Sequence, residues 1–281
     1  MNGTAEESHE LVENFFSSAC EVADFMEQQI AGKLLLLLNP PLRDQYLAEL
    51  YRRGLCWMSS LRKLNDAKDF QGLCVCTRTL FETTIDFLLI HADTTDESAT
   101  QMKSWELSAK LKVAKALIDF EVRRKTPLQI DTKPHKDYIQ LEESAILSAR
   151  KKFWPNQTNN SGQSVHPDRW TGRAIVDDAK AADKIYPTQV QQIFDQTLED
   201  FYETQIRTLH WYVHGSTVIG TRNMQTGRFP ELCGLNFRYS SQLALIMTQI
   251  MMEELSRLGV LSVIPALTDE FRRVRKPVCF K

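Results

Sequence analysis

Apolar residues recur three and four positions apart along most of this chain. Leu11, Val12, Phe15, Phe16, Ala19, Val22, Phe25, Met26 and Ile30 form such a stripe, which the 3.6-residue period of an α-helix places on one face. Thr4 and Glu7 have the spacing of a capping box and predict where that helix begins. Asn39, Pro40 and Pro41 end it, and Pro41 is placed to open a second helix through Tyr46, Leu47, Leu50, Leu55, Met58, Leu61 and Leu64. The spacing then predicts a third helix over 69–91 that is apolar around most of its circumference (Phe70, Leu73, Leu80, Phe81, Ile85, Leu88), the mark of a central element.

Further helices are expected over 104–125 and 136–152, both closing on basic residues, followed by a polar surface loop at 154–169. A short helix over 174–184 leads to one continuous helix over 188–214, with Phe194, Leu198, Phe201, Tyr202, Leu209, Tyr212 and Val213 as its core stripe. Residues 216–235 read as a loop. A last long helix carries Leu243, Ile246, Met247, Ile250, Met251, Leu255 and Leu258 to Gly259. Strand patterns and βαβ alternation are missing, so the expected fold is all-α, a bundle of about seven to nine helices around one core. Its expected parts are an N-terminal hairpin over 1–68, a main domain over 69–265 and a basic tail over 266–281.

Composition narrows the class. The 281 residues are 43% hydrophobic and 25% charged, with a net charge of −2, which suits a globular domain and excludes duplex binding by bulk positive charge. Residues 103–152 are locally basic, with twelve Lys or Arg against seven Asp or Glu, although helix C-termini attract such residues without a ligand. Six dispersed cysteines do not form a disulfide framework. The longest aliphatic run, Leu34 to Leu38, is too short to cross a bilayer, and the polar N-terminus is unlike a secretory signal. A soluble, cytoplasmic protein without membrane attachment is expected, with no cofactor.

Candidate chemistry centres on Arg207, His210 and His214. At 100° per residue, Arg207 and His214 fall within about 20° of each other, so a permanent cation and a group titrating near neutrality share one helix face. That face is either solvated, with Glu203 pairing Arg207, or turned toward a second subunit. On the apolar third helix, Arg78, Glu82 and Asp86 repeat every four residues, which fits an exposed ion-pair seam or charges lining an internal pocket. No Gly-rich phosphate loop, nucleophile elbow or zinc knuckle occurs. A metal held by His210, His214 and Glu82 is a weaker alternative.

Two segments, Arg78-Thr-Leu-Phe-Glu82 and Arg207 through His214-Gly215-Ser216 after Trp170-x-Gly172, resemble a widespread bacterial family of helical proteins of uncharacterised function, over roughly residues 45 to 260. The later segment is also similar to the HEPN ribonucleases (higher eukaryotes and prokaryotes nucleotide-binding), whose motif is an Arg, four to six residues, then a His near a helix end. The resemblance implies a homodimer pairing its motif helices across a cleft, and metal-independent cleavage of single-stranded or looped RNA. Arg207 and His214 would be catalytic, His210 would position the substrate, and Arg78, Glu82 and Asp86 would support them. It further implies a toxin or phage-defence effector with a neutralising or activating protein partner. A helical module that binds a protein, nucleotide or RNA through the same face without cutting it is the competing expectation.

Overall fold

A computed structural model describes residues 5–65, 69–124, 131–159, 162, 165–194, 196–214, 229–262 and 265–279, with side chains from residue 12 onward except those of residues 214, 229 and 230. Among these residues the fold is all-α. In chain order the helices are α1 (Ala5–Phe25), α2 (Leu42–Leu61), α3 (Phe70–Ala92), α4 (Glu97–Arg123), α5 (Lys133–Phe153), α6 (Ile175–Ile185), α7 (Pro187–Gln191), α8 (Leu198–Phe201), α9 (Arg207–His214), α10 (Phe229–Arg257) and α11 (Pro265–Arg275). Thr4 of the expected capping box lies outside the described residues.

The chain forms two compact units, one of residues 1–94 with 176–281 and one of residues 95–175. In the larger unit, helices distant in sequence share one core. There α10 packs against α1, α2 and α3, and α3 also packs against α2 and α9. The expected central position of α3 is what its composition requires: Leu73, Leu80, Phe81, Ile85, Phe87, Leu88 and Ile90 are each 0% exposed, and a helix apolar on all sides must be surrounded. Buried hydroxyls in this core find partners across helices. Thr77 meets Ser240 at 3.0 Å and Tyr51 meets Thr248 at 3.2 Å, as burial demands.

Two expectations about helix bounds are corrected. The single helix over 188–214 is interrupted: α7 stops at Gln191, α8 starts at Leu198, and a π-helical turn, Tyr202–Ile206, joins α8 to α9. The new start is capped twice. Thr197 Oγ1 accepts from the Asp200 amide at 3.0 Å, and the Asp183 carboxylate accepts from the Leu198 and Glu199 amides at 2.9 and 3.0 Å, satisfying amide groups that a helix start leaves without intrahelical partners. The basic tail contains α11, which docks on α1 through Phe271 against Phe25 (ring centroids 5.7 Å apart) and Arg273 on Glu21 at 2.7 Å. The last long helix begins at Phe229, well before Leu243.

The smaller unit pairs α4 with α5. Its expected surface loop is pinned by indoles. Trp154, 3% exposed, donates from Nε1 to the Trp170 carbonyl at 2.8 Å, and Trp105 donates to the Pro167 carbonyl at 2.8 Å. Gly172 turns there with φ +71, and a Cβ at that position would stand 2.8 Å from Trp154 Cδ1, so only glycine fits the turn.

Candidate functional site

Arg207 opens α9, directly after the π-helical turn. Such turns add a residue to the helical repeat and often mark functional positions. The buried stripe of this segment, Leu198, Phe201, Ile206, Leu209 and Tyr212, faces α3, with Phe70 against Tyr212 (centroids 4.9 Å apart) and Phe81 stacked on Tyr202 at 6.1 Å. That leaves the opposite face open. The Arg207 side chain is 63% exposed and ion-paired with Glu203, one turn before it; the acid-before-base order suits the helix dipole, but so exposed a pair adds little to stability. The hydrogen bond it donates to the Glu203 carboxylate holds the Arg207 guanidinium above its ordinary pKa.

A groove of about 410 Å³ runs along this face, lined by Glu203, Arg207, Thr208, Trp211 and Tyr212. Trp211 is 62% exposed and lies one turn beyond Arg207, so indole and guanidinium are neighbours on the helix surface. Sequence reasoning passed over Trp211, although its i+4 relation to Arg207 was available. His210 is exposed. His214 is the last residue of α9, and its side chain lies outside the described residues.

Arg78 and Glu82 are brought together on α3 at 3.1 Å, with side chains 30% and 36% exposed, and Asp86 is 9% exposed. The pair is therefore a half-exposed seam at its own register of α3, and Asp86 continues it into the core. Among the described residues no group of three or more His, Cys, Asp or Glu side chains could hold a metal; the set His210, His214 and Glu82 includes a side chain outside them.

A second cluster was not anticipated. Arg43, from the first turn of α2, donates to Glu254 Oε1 at 2.6 Å, to Asp44 at 2.8 Å and to the His91 carbonyl at 2.9 Å. Glu254, on α10, also accepts from Arg257 at 2.7 and 3.0 Å and faces His91 Nε2 at 3.6 Å. His91 Nδ1 lies 2.6 Å from the Tyr186 hydroxyl. With a carboxylate facing Nε2, the tautomer that satisfies both neighbours carries its proton on Nε2 and accepts from the tyrosine. Asp44 and Glu254 are 4% and 5% exposed. Burial alone would raise the Glu254 carboxyl, yet the donors from His91, Arg257 and Arg43 hold it far below the usual carboxylate range. Burial pushes the Tyr186 phenol up to about 12. No cavity among those described adjoins the cluster, which makes it a clasp tying α2, α3 and α10 to Tyr186, the residue between α6 and α7.

The smaller unit has its own buried polar set. Arg150 Nε donates to Ser108 Oγ at 2.5 Å, His166 Nδ1 lies 3.0 Å from the same oxygen, and His166 stacks on Trp105 with centroids 5.3 Å apart. Burial, then the charges of Arg150 and Lys112, lower the pKa of His166. Ser108 is 0% exposed, so this serine is a hydrogen-bonded joint between α4 and α5 and is closed to substrate.

No protein family, no curated protein and no solved structure matches this chain. The resemblance to the HEPN ribonucleases therefore gains no support from comparison. Among the described residues no helix is long and apolar enough to cross a membrane.

Proposed function

We propose that this protein binds single-stranded RNA in the α9 groove and cuts it without a metal. The observation that supports this is the juxtaposition of Arg207 and Trp211, 63% and 62% exposed, on one groove wall. An exposed indole beside a guanidinium is the elementary unit of single-strand recognition: a base stacks on the ring and the adjoining phosphate takes the cation. A duplex, whose bases are already stacked, cannot use the indole. Glu203 occupies Arg207 in the free protein, and a phosphate replaces it as bidentate partner.

Cleavage would use His214, seven residues on and within about 20° of Arg207 by helical geometry. The imidazole takes the proton of the ribose 2′-hydroxyl as the 2′-oxygen attacks phosphorus. The bond from phosphorus to the 5′-oxygen breaks, and that oxygen is protonated from solvent or from a second imidazole, with His210 one turn before His214. Arg207 stabilises the charge that builds on the non-bridging oxygens. A second copy of the chain facing α9 would enclose the strand.

The test is binding and gel analysis of a mixed single-stranded RNA pool with EDTA present. Trp211→Ala is expected to weaken binding about 5–150-fold, the range for one lost stacking contact. Glu203→Gln, by releasing Arg207, strengthens it. His214→Ala retains binding and stops cutting. RNA bound but never cut would leave the non-catalytic module as the function, cleavage abolished by EDTA would transfer the chemistry to a metal, and no binding at all would refute the proposal.

A further inference from the structure

A groove of about 510 Å³ lies between α10 and α11 and shares no lining residue with the α9 groove. Its apolar lining is Met252 and Phe271. The α11 side carries Arg272 and Arg275, and the α10 side carries Gln249 and Glu253. Helix polarity accounts for arginines in the last turn of α11, and two of the three there have partners: Arg273 pairs with Glu21, and Arg272 with Asp269 at 3.1 Å. Helix polarity does not account for what stands opposite them. Among the described residues neither Arg275 nor Glu253 has an ion pair, although both line one groove. Gln249 turns its amide nitrogen toward Gln192 and Glu253, both at 3.5 Å, and leaves the Glu253 carboxylate without a cationic partner.

The groove thus offers a cation, an anion and an apolar bed. A ligand that answers all three has a carboxylate for Arg275, N–H donors for Glu253, and a large apolar body. We infer that the groove binds a zwitterionic α-amino acid with a large apolar side chain. The carboxylate forms a two-pronged contact with the guanidinium. The ammonium donates to the Glu253 carboxylate. The side chain lies on the Met252 thioether and the Phe271 ring, surfaces that adapt to aromatic groups. The volume falls in the range of small-molecule sites and exceeds what glycine or alanine would fill, so the apolar body carries much of the affinity.

Isothermal calorimetry of the full chain with L-phenylalanine tests this. Three analogues each lack one feature: phenethylamine has no carboxylate, 3-phenylpropionate no ammonium, and glycine no apolar body. Each is expected to bind about tenfold or more weakly, the consequence of losing one charge-assisted contact or the buried ring. Arg275→Gln and Glu253→Gln each weaken L-phenylalanine by a similar factor without changing the helical circular dichroism, and Arg207→Ala leaves it unchanged, which separates this site from the α9 groove. The inference is overturned if L-phenylalanine shows no binding at millimolar concentration. It is equally overturned if 3-phenylpropionate binds as tightly, or if neither charge variant matters.

Discussion

Replacing Glu254 by Gln removes one charge, keeps the shape, and tests whether the buried clasp holds the larger unit together. The contact most affected is the 2.6 Å bond from Arg43, between side chains 12% and 6% exposed; a charge-assisted bond in such surroundings contributes about 1.5–3 kcal/mol. The two bonds from Arg257 count for less, since that side chain is 60% exposed and exposed pairs contribute at most about 1 kcal/mol. The variant also leaves the Arg43 guanidinium poorly compensated. Breaking a buried pair from one side costs about 3–5 kcal/mol when no counter-charge remains, and Asp44, at 2.8 Å, still supplies one. The expected loss is therefore about 3 kcal/mol. For a unit of about 200 residues this lowers the melting temperature by about 6–12 °C.

The pH dependence gives a second readout with a fixed sign. The folded carboxyl titrates far below its ordinary value of 4.5, so its stabilisation is fully present above that value and is lost as pH falls toward the folded value. Wild type and Glu254→Gln should differ most at neutral pH and converge as pH falls below 4.5. Thermal melts by circular dichroism between acid and neutral pH measure both effects. A Glu254→Gln protein melting within about 2 °C of wild type at neutral pH would refute the reasoning, because that is the effect of a surface pair.

Other variants probe the smaller unit. Gly172→Ala should destabilise it by about 1–3 kcal/mol, from the backbone strain of an alanine at positive φ together with the 2.8 Å clash on Trp154; a tryptophan-fluorescence melt superimposing on wild type would contradict this. His166 has a folded pKa below its ordinary 6.5, so as pH falls below 6.5 the unfolded chain takes up the proton first and stability declines until the folded value is passed. His166→Phe, which keeps an aromatic ring against Trp105, should remove that decline in urea titrations, and an unchanged pH profile would show that another group causes it.

Most helices were legible because their apolar period is local and long. The 188–214 break escaped for the opposite reason: its apolar stripe continues through it, with Phe194, Leu198, Phe201, Ile206 and Leu209 all buried, so periodicity reported one helix where the backbone makes two. The counter-signal was present in Thr197 and Asp200, spaced as a helix start. The α9 face was legible as a face, since Arg207 opposes that stripe. The helix in the basic tail was legible too, in Leu267, Phe271 and Val274, which recur at four and three and are the residues α11 buries.

The clasp shows what periodicity can and cannot convey. Asp44 precedes Leu47, Ala48 and Tyr51 by three, four and seven positions; His91 follows Leu88, Phe87 and Thr84 by the same intervals, and Glu254 follows Met251, Ile250 and Met247. Each polar group thus sits in the register of a core stripe, and eleven of these twelve residues are buried, His91 alone being partly exposed. Because an ionised group in that register must be paired, the three positions announce that partners exist. They do not announce which, since Arg43 and Glu254 are 211 residues apart and meet only after α10 has docked against α2 and α3. A charge out of place in an apolar stripe is thus readable as a demand for a partner, and only the packing of the helices supplies its identity.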